Sequence, residues 1–199
     1  FSRSLQHQSL GSIIAKTSDL YAHITNLKKG DFPKPIVFVN RYDGIDLPDS
    51  TCRILIFDSK PYFLSLSDKY EESCRANSDL INIKLAQKIE QGLGRSVRGE
   101  KDYSVIIIIG DDLVRYIKSS QTNKYFSEQT KRQVDLGLEI AKLSQEEIDN
   151  GEDPMKVLVD LINQSLKRDE GWKEFYNVEM SSLQIEMDFT SISDTMLVE

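Results

Sequence analysis

The chain has 199 residues, 39% of them hydrophobic and 29% charged, which suits one domain of roughly 100–200 residues with a real core and excludes an intrinsically disordered chain. Its longest purely apolar run, Val105 to Ile109, is far short of the roughly 20 residues needed to cross a bilayer. With 25 Lys and Arg against 32 Asp and Glu, the net charge of −7 excludes a basic footprint over the whole surface, so any contact with a polyanion has to be local.

Residues 4–27 carry Leu5, Leu10, Ile13, Ile14, Leu20, Tyr21, Ile24 and Leu27, mostly three and four apart. This spacing predicts an amphipathic helix, breakable at Gly11-Ser12 and ended at Lys28-Lys29-Gly30. Pro35 to Val39 and Arg53 to Phe57 are short continuous apolar runs that read as strands buried on both faces, with a polar loop, Asn40 to Ser50, between them. Helical spacing returns between Asn77 and Gly92, with Ile81, Leu85 and Ile89 on one stripe, and Tyr103 to Ile109 is the strongest strand. Strands alternating with helices predict an α/β fold, a parallel sheet flanked by helices, whose ligands bind in the loops after the strands. From Ser127 on the pattern is helical, over Ser127–Ile148, Pro154–Leu166 and about Gly171–Met180. The last stretch, Ser181–Glu199, is acidic and polar and reads as a tail or an unpaired strand.

Two segments can carry chemistry. Asn40-Arg-Tyr-Asp-Gly-Ile-Asp-Leu-Pro48 follows a strand; Gly44 permits a sharp turn, and Asp43 and Asp46 can accept bonds from a ribose hydroxyl or a metal-bound water. On composition alone this is also an ordinary turn. Gln91-Gly-Leu-Gly-Arg-Ser-Val-Arg98 ends a helix. Arg95 and Arg98, three apart, are expected on one side of a helical turn as two permanently charged forks for one anion, with Gly92 and Gly94 allowing close backbone approach. A Walker-type loop is not present, because Glu100 stands where Lys is required, and the two histidines, His7 and His23, adjoin no nucleophile. Cys52 and Cys74 fix no disulfide framework and by themselves build no metal site.

Together the two segments resemble motifs V and VI of superfamily 2 helicases of the DinG and XPD kind. Tyr42-Asp43-Gly44-Ile45-Asp46-Leu47-Pro48 is similar to the fifth motif, and Gln91, Gly94, Arg95 and Arg98 to the Gln-x-x-Gly-Arg-x-x-Arg of the sixth. The resemblance covers about residues 30–115. It implies a RecA-like second domain over residues 1–125, truncated at its N-terminal side, and a helical extension over 126–199. It further implies that Arg98 is an arginine finger, that Arg95 supports the phosphates, and that Gln91 meets the nucleotide or the facing domain. Gly94, Gly44 and Asp46 would then line the nucleotide, and Arg41 would touch nucleic acid. ATP and Mg2+ are the implied cofactors, DNA the implied polymer, with Lys101, Arg115 and Lys118 as lesser contacts.

No phosphate-binding loop or Asp-Glu-x-His box occurs in these residues, so half of the ATP site is expected in a first RecA-like domain elsewhere in the protein, and the chain by itself is expected to be inactive. Two rival readings remain: a non-catalytic helicase-like module that binds a protein partner through its C-terminal helices, and a nucleotide-binding domain with an acidic pocket of Asp58, Asp111 and Asp112. The absence of a basic-then-apolar start and the sparse cysteines lead to the expectation of a cytoplasmic protein without membrane contact.

Overall fold

The helix expected over residues 4–27 is two helices with a strand between them. The structure, a computed structural model, describes residues 2–31, 34–42, 44–47, 49–75, 78–96 and 103–181. Helix α1 (Ser2–Ser9) stops because Gly11 takes a left-handed φ of +89°, which a side chain rarely tolerates, and Ser12 N–H closes onto the His7 carbonyl at 3.1 Å. The chain then extends as β1 (Ile13–Ile14), two β-branched residues, before α2 (Leu20–Lys28). Strand β1 pairs in parallel with β2 (Ile36–Val37), Ile13 opposite Ile36. The stretch from Pro35 to Val39 is thus a two-residue strand, because Asn40 at a φ of 51° turns the backbone away.

After a 3-10 turn (Asp49–Thr51) comes β3 (Ile54–Asp58), which pairs in parallel with β4 (Val105–Ile109) from Ile54–Val105 to Asp58–Ile109. The expected single sheet is therefore two parallel two-stranded ladders among the described residues. Nor is β3 buried on both faces. Ile54 and Ile56 are 45% and 52% exposed while Phe57 is buried, because side chains alternate along a strand and only one face of β3 meets the core.

Helices α3 (Leu66–Cys74) and α4 (Asp79–Leu93) connect β3 to β4; α5 (Asp111–Lys118), α6 (Ser120–Asn123), α7 (Glu128–Asp149), α8 (Pro154–Lys167) and α9 (Glu170–Ser181) follow it. Their starts follow from capping chemistry: Ser65, Ser78, Ser127 and Asp153 each accept the backbone N–H three residues on, and Pro154 opens α8 where no N–H is needed. The main core lies between α4, α5 and one face of β3–β4, with Ile89 and Leu113 at 0% exposure. A second cluster joins Leu20 and Ile24 of α2 to Ile45 and Leu47. Residues 182–199, expected as a tail or strand, lie outside the described residues.

Gly92, on the last turn of α4, decides how that helix sits. A Cβ there would stand 2.3 Å from the Phe57 ring and 2.9 Å from that of Tyr42, and these rings are packed on each other at 5.6 Å. Glycine costs about 1 kcal/mol relative to alanine inside a helix, so its presence here reflects that missing space. Gly92→Ala is expected to destabilise the fold by roughly 1–3 kcal/mol through overpacking. An unchanged or raised Tm would show that the aromatic pair gives way freely.

At the same end of β3, next to Phe57, Asp58 holds α1 in place. His7 Nε2 lies 2.7 Å from one of its oxygens and Arg3 Nη1 lies 3.4 Å from the other, which also accepts the Ser59 hydroxyl at 2.7 Å. Burial pushes the Asp58 pKa up, but the bonds from Ser59 and His7 and the charge of Arg3 outweigh it and hold the carboxyl below its ordinary value. A depressed carboxylate stabilises the fold above its unfolded pKa of about 3.9, and that contribution disappears as pH falls through the folded value. The stability difference between the native chain and Asp58→Asn is therefore expected to be constant near neutrality and to close below about pH 4, with amide exchange in α1 rising over the same range. A difference independent of pH would remove the carboxylate from this role.

Candidate functional site

The two segments that sequence analysis singled out lie far apart in the chain and meet in space. The loop after β2 leads from Asn40 to Gly44, whose φ of +72° makes the sharp turn. Ile45 and Leu47 are 2% and 4% exposed, packed on α2, and Asp46 between them is half-buried on the opposite side.

The other segment departs from expectation. Helix α4 ends at Leu93 with Gly94 as its cap, so Arg95 is beyond the helix. The chain turns back there, with Arg95 N–H on the Gly92 carbonyl at 3.3 Å. Arg95 then grips the first loop twice. Its Nη1 donates to the Ile45 carbonyl at 3.0 Å, and its own carbonyl accepts the Leu47 N–H at 3.3 Å. Both contacts straddle Asp46.

Arg98, Asp43, Pro48 and Lys101 lie outside the described residues. The residues flanking 97–102 are held firmly. Ser96 is completely buried, with its hydroxyl 2.6 Å from that of Ser104. Arg53 donates to the Tyr103 carbonyl at 2.8 Å and lies over the Tyr103 ring at 3.8 Å. Sequence reasoning overlooked Ser96 and Ser104; two serines in a polar stretch of sequence are too common to single out.

Gln91 is exposed on the last turn of α4, and Gly94 is exposed beside it. Of the two glycines expected to permit close approach, Gly92 does so toward protein rings. Gly94 has room for a side chain, since a Cβ there would stand 3.4 Å from the nearest atom, a carbonyl oxygen. Arg41 is exposed and donates to the Thr17 hydroxyl at 2.6 Å. Tyr42 is half-buried against Phe57; burial, with the nearby Tyr62, pushes its phenol up to about 12, so it stays neutral. Lys88 Nζ stands 5.8 Å from the Tyr42 ring, near enough for a cation–π attraction.

The acidic pocket weighed from Asp58, Asp111 and Asp112 does not form as an open site. Asp58 is taken up by α1, and Asp112 accepts the Lys60 N–H at 3.1 Å and the Leu113 N–H at 2.9 Å. Among the described residues no group of three His, Cys, Asp or Glu side chains is placed to hold a metal ion, and no helix is long and apolar enough to cross a membrane.

Residues 36–133 match the family model described as helicase C-terminal domain. The matched span runs from β2 into the first turns of α7 and contains both segments, and it supports a helicase C-terminal domain over those residues. No curated protein matches the chain.

The clasp formed by Arg95 has a measurable consequence. A hydrogen bond from a charged donor contributes about 1.5–3 kcal/mol, so Arg95→Ala is expected to lower Tm by several degrees and to speed amide exchange at Leu47 more than in α5. Arg95→Lys restores the charge but not the planar fork and is expected to recover little. Unchanged exchange at Leu47 in Arg95→Ala would mean that the backbone contact holds the loop without the guanidinium.

Proposed function

Given a helicase C-terminal domain over residues 36–133, we propose that the chain is the C-terminal part of an ATP-dependent superfamily 2 helicase or translocase of the DinG and XPD kind, acting on DNA. Residues 1–125 are its second RecA-like domain and residues 126–199 a helical extension. The observation that carries this reading is the Arg95 clasp, which joins the loop at 40–47 to the end of α4 and makes the two motif-like segments one surface.

Phosphoryl transfer is catalysed mainly by positioning and by positive charge placed where negative charge develops. Arg98 supplies that charge, since a guanidinium stays protonated at any working pH and offers two parallel donors to phosphate oxygens. Gln91, exposed on the last turn of α4, contacts the terminal phosphate or the facing domain, and Gly94 leaves the backbone open beside it. Gly44 and Asp46 line the nucleotide. Arg41, exposed on the far side of the same loop, meets the nucleic-acid strand. Mg2+, when bound with ATP, neutralises part of the phosphate charge; the residues that would hold it belong, in this reading, to the first RecA-like domain.

Coupling follows from the clasp. Closure of the facing domain over ATP presses on the segment that begins at Arg95. That residue is bonded on both sides of Asp46, so the push reaches the loop bearing Arg41 without passing through the core.

In the full-length protein, Arg98→Ala is expected to lower kcat by about 10³–10⁵-fold with little change in KM, because the finger acts mainly in the transition state. Arg98→Lys should not rescue it, and the 199-residue chain alone should hydrolyse no ATP. A normal kcat with a raised KM in Arg98→Ala, or ATP turnover by the chain alone, refutes the assignment.

A further inference from the structure

Helices α7 and α8, joined by residues 150–153, pack on each other as a hairpin. Each keeps one apolar stripe for the protein: Leu136, Ile140 and Ile148 on α7, and Val157 and Leu161 on α8, all buried or half-buried. Helix α8 carries a second stripe. Met155, Leu158, Val159, Ile162 and Leu166 are spaced one, three or four apart and so share another face of the helix. Toward the end of α8, where Arg168 stands 4.9 Å from the Tyr103 ring, Ile162 and Leu166 are half-buried. Toward its start the same stripe is open, with Met155, Leu158 and Val159 at 64%, 41% and 45% exposure. A surface helix needs one apolar stripe, and a second that runs on into solvent marks a contact surface.

The charge beside that stripe is one-sided. Residues 139–160 hold seven acidic side chains against Lys142 and Lys156, a balance of −5 in a chain of −7. Between the end of α7 and the start of α8 opens a cleft of about 400 Å3 lined by Glu147, Asn150, Glu152, Lys156, Val157 and Asp160. Helical spacing puts Lys156 and Asp160 on the flank between the two stripes of α8, so the cleft borders the open one. Lys156 is bonded to Glu152 at 2.8 Å. That bond and the charge of Glu152, with Asp160 and Asp153 adding to them, hold its ammonium above the ordinary pKa. Glu147 and Asp160 have no ion pair of their own among the described residues.

This combination is selective. An excess of carboxylates repels nucleic acid and acidic proteins, and an apolar stripe gives a free cation nothing to cover. The complement is an apolar face bordered by Lys or Arg. Beside two packed helices the natural carrier of such a face is a third helix, which lays its own stripe along the exposed one.

We propose that the α7–α8 hairpin is a docking surface for a basic amphipathic helix of a partner protein. The partner's apolar stripe covers Met155, Leu158 and Val159, and a Lys or Arg beside that stripe enters the cleft between Glu147 and Asp160. Apolar burial supplies the affinity; the acidic surround speeds the encounter and rejects acidic helices. None of these residues belongs to the proposed nucleotide or nucleic-acid site, so the inference stands apart from the helicase reading.

The test measures binding of two fluorescein-labelled model helices to the 199-residue chain, one of leucine and lysine and one of leucine and glutamate, both with leucines at helical spacing. The variants are Leu158→Gln/Val159→Gln and Glu147→Gln/Asp160→Asn. The control, Asp31→Asn/Glu72→Gln, makes the same change in net charge at exposed positions outside the hairpin. The native chain should bind the lysine helix and not the glutamate helix. Leu158→Gln/Val159→Gln should weaken that binding roughly tenfold, because two apolar side chains lose their cover. Glu147→Gln/Asp160→Asn should weaken it about threefold at low salt and less at high salt, where exposed charges are screened. The control should bind like the native chain. Equal binding of both helices, no binding of the lysine helix, or native affinity in both hairpin variants overturns the proposal. Sedimentation of the chain without peptide supplies a further outcome: a dimer that Leu158→Gln/Val159→Gln dissociates would make the stripe a contact between copies and would also overturn it.

Discussion

Everything at the candidate site depends on one close approach, that of Gly92 to the Phe57–Tyr42 ring pair. Because a glycine stands there, the last turn of α4 lies flat against an aromatic ring from β3 and another from the loop after β2. The helix end, the strand and the loop are thereby locked in one arrangement. Arg95 emerges within reach of Ile45 and Leu47 only because α4 sits that close. Close-packed interiors transmit such constraints, since rings that fill a space leave little freedom to slide. The hydrogen-bonded clasp is a consequence of an apolar fit.

Charge is arranged locally in the same sense. A net charge of −7 gives the chain little long-range attraction for a polyanion, yet cations collect where the fold holds them together. On the α1 side, Arg3 and His7 serve Asp58 and so anchor a helix. Lys84 of α4 bridges Asp68 and Glu71 and so holds α3, a helix with no buried residue of its own. These pairs tie elements to the core.

Among the described residues the C-terminal helices hold one another and the rest of the fold: Gln133 of α7 donates to the Tyr176 hydroxyl of α9 at 3.1 Å, and the Ser127 N–H before α7 donates to Glu90 of α4 at 2.8 Å. Arg168, at a left-handed φ of 53°, lies 4.9 Å from the ring of Tyr103, which carries Arg53 at 3.8 Å. The end of α8 therefore rests on the residue that leads into β4, just after the segment containing Arg98. Met155, Leu158 and Val159 remain exposed on α8, whose only buried residue is Val157, with Leu161, Ile162 and Leu166 half-buried beside it.

The helices from Ser127 on were legible in the sequence to within about a residue, because they carry apolar residues at helical spacing and two of them begin with a capping side chain: Ser127 before α7, Asp153 and Pro154 before α8. Helices α5 and α6 were not, since α5 starts after Gly110 with no side-chain cap and α6 is a single turn. The presence of strands at Ile36, Ile54 and Val105 was legible too, as was the left-handed turn at Gly44. How the strands are covered was not: a run of isoleucines is alike whether one face or two are buried, and β3 proved to have Ile54 and Ile56 on an open face. The strand at Ile13–Ile14 lay hidden because its partner, Ile36–Val37, is distant in the chain, and a two-residue strand has no period of its own. Arg95 looked like half of a helical pair until the helix stopped at Leu93 and turned it back onto Ile45. Local chemistry determined where elements begin and end; pairing, burial and the partner of each charge came from contacts between residues distant in the chain, which no local pattern encodes.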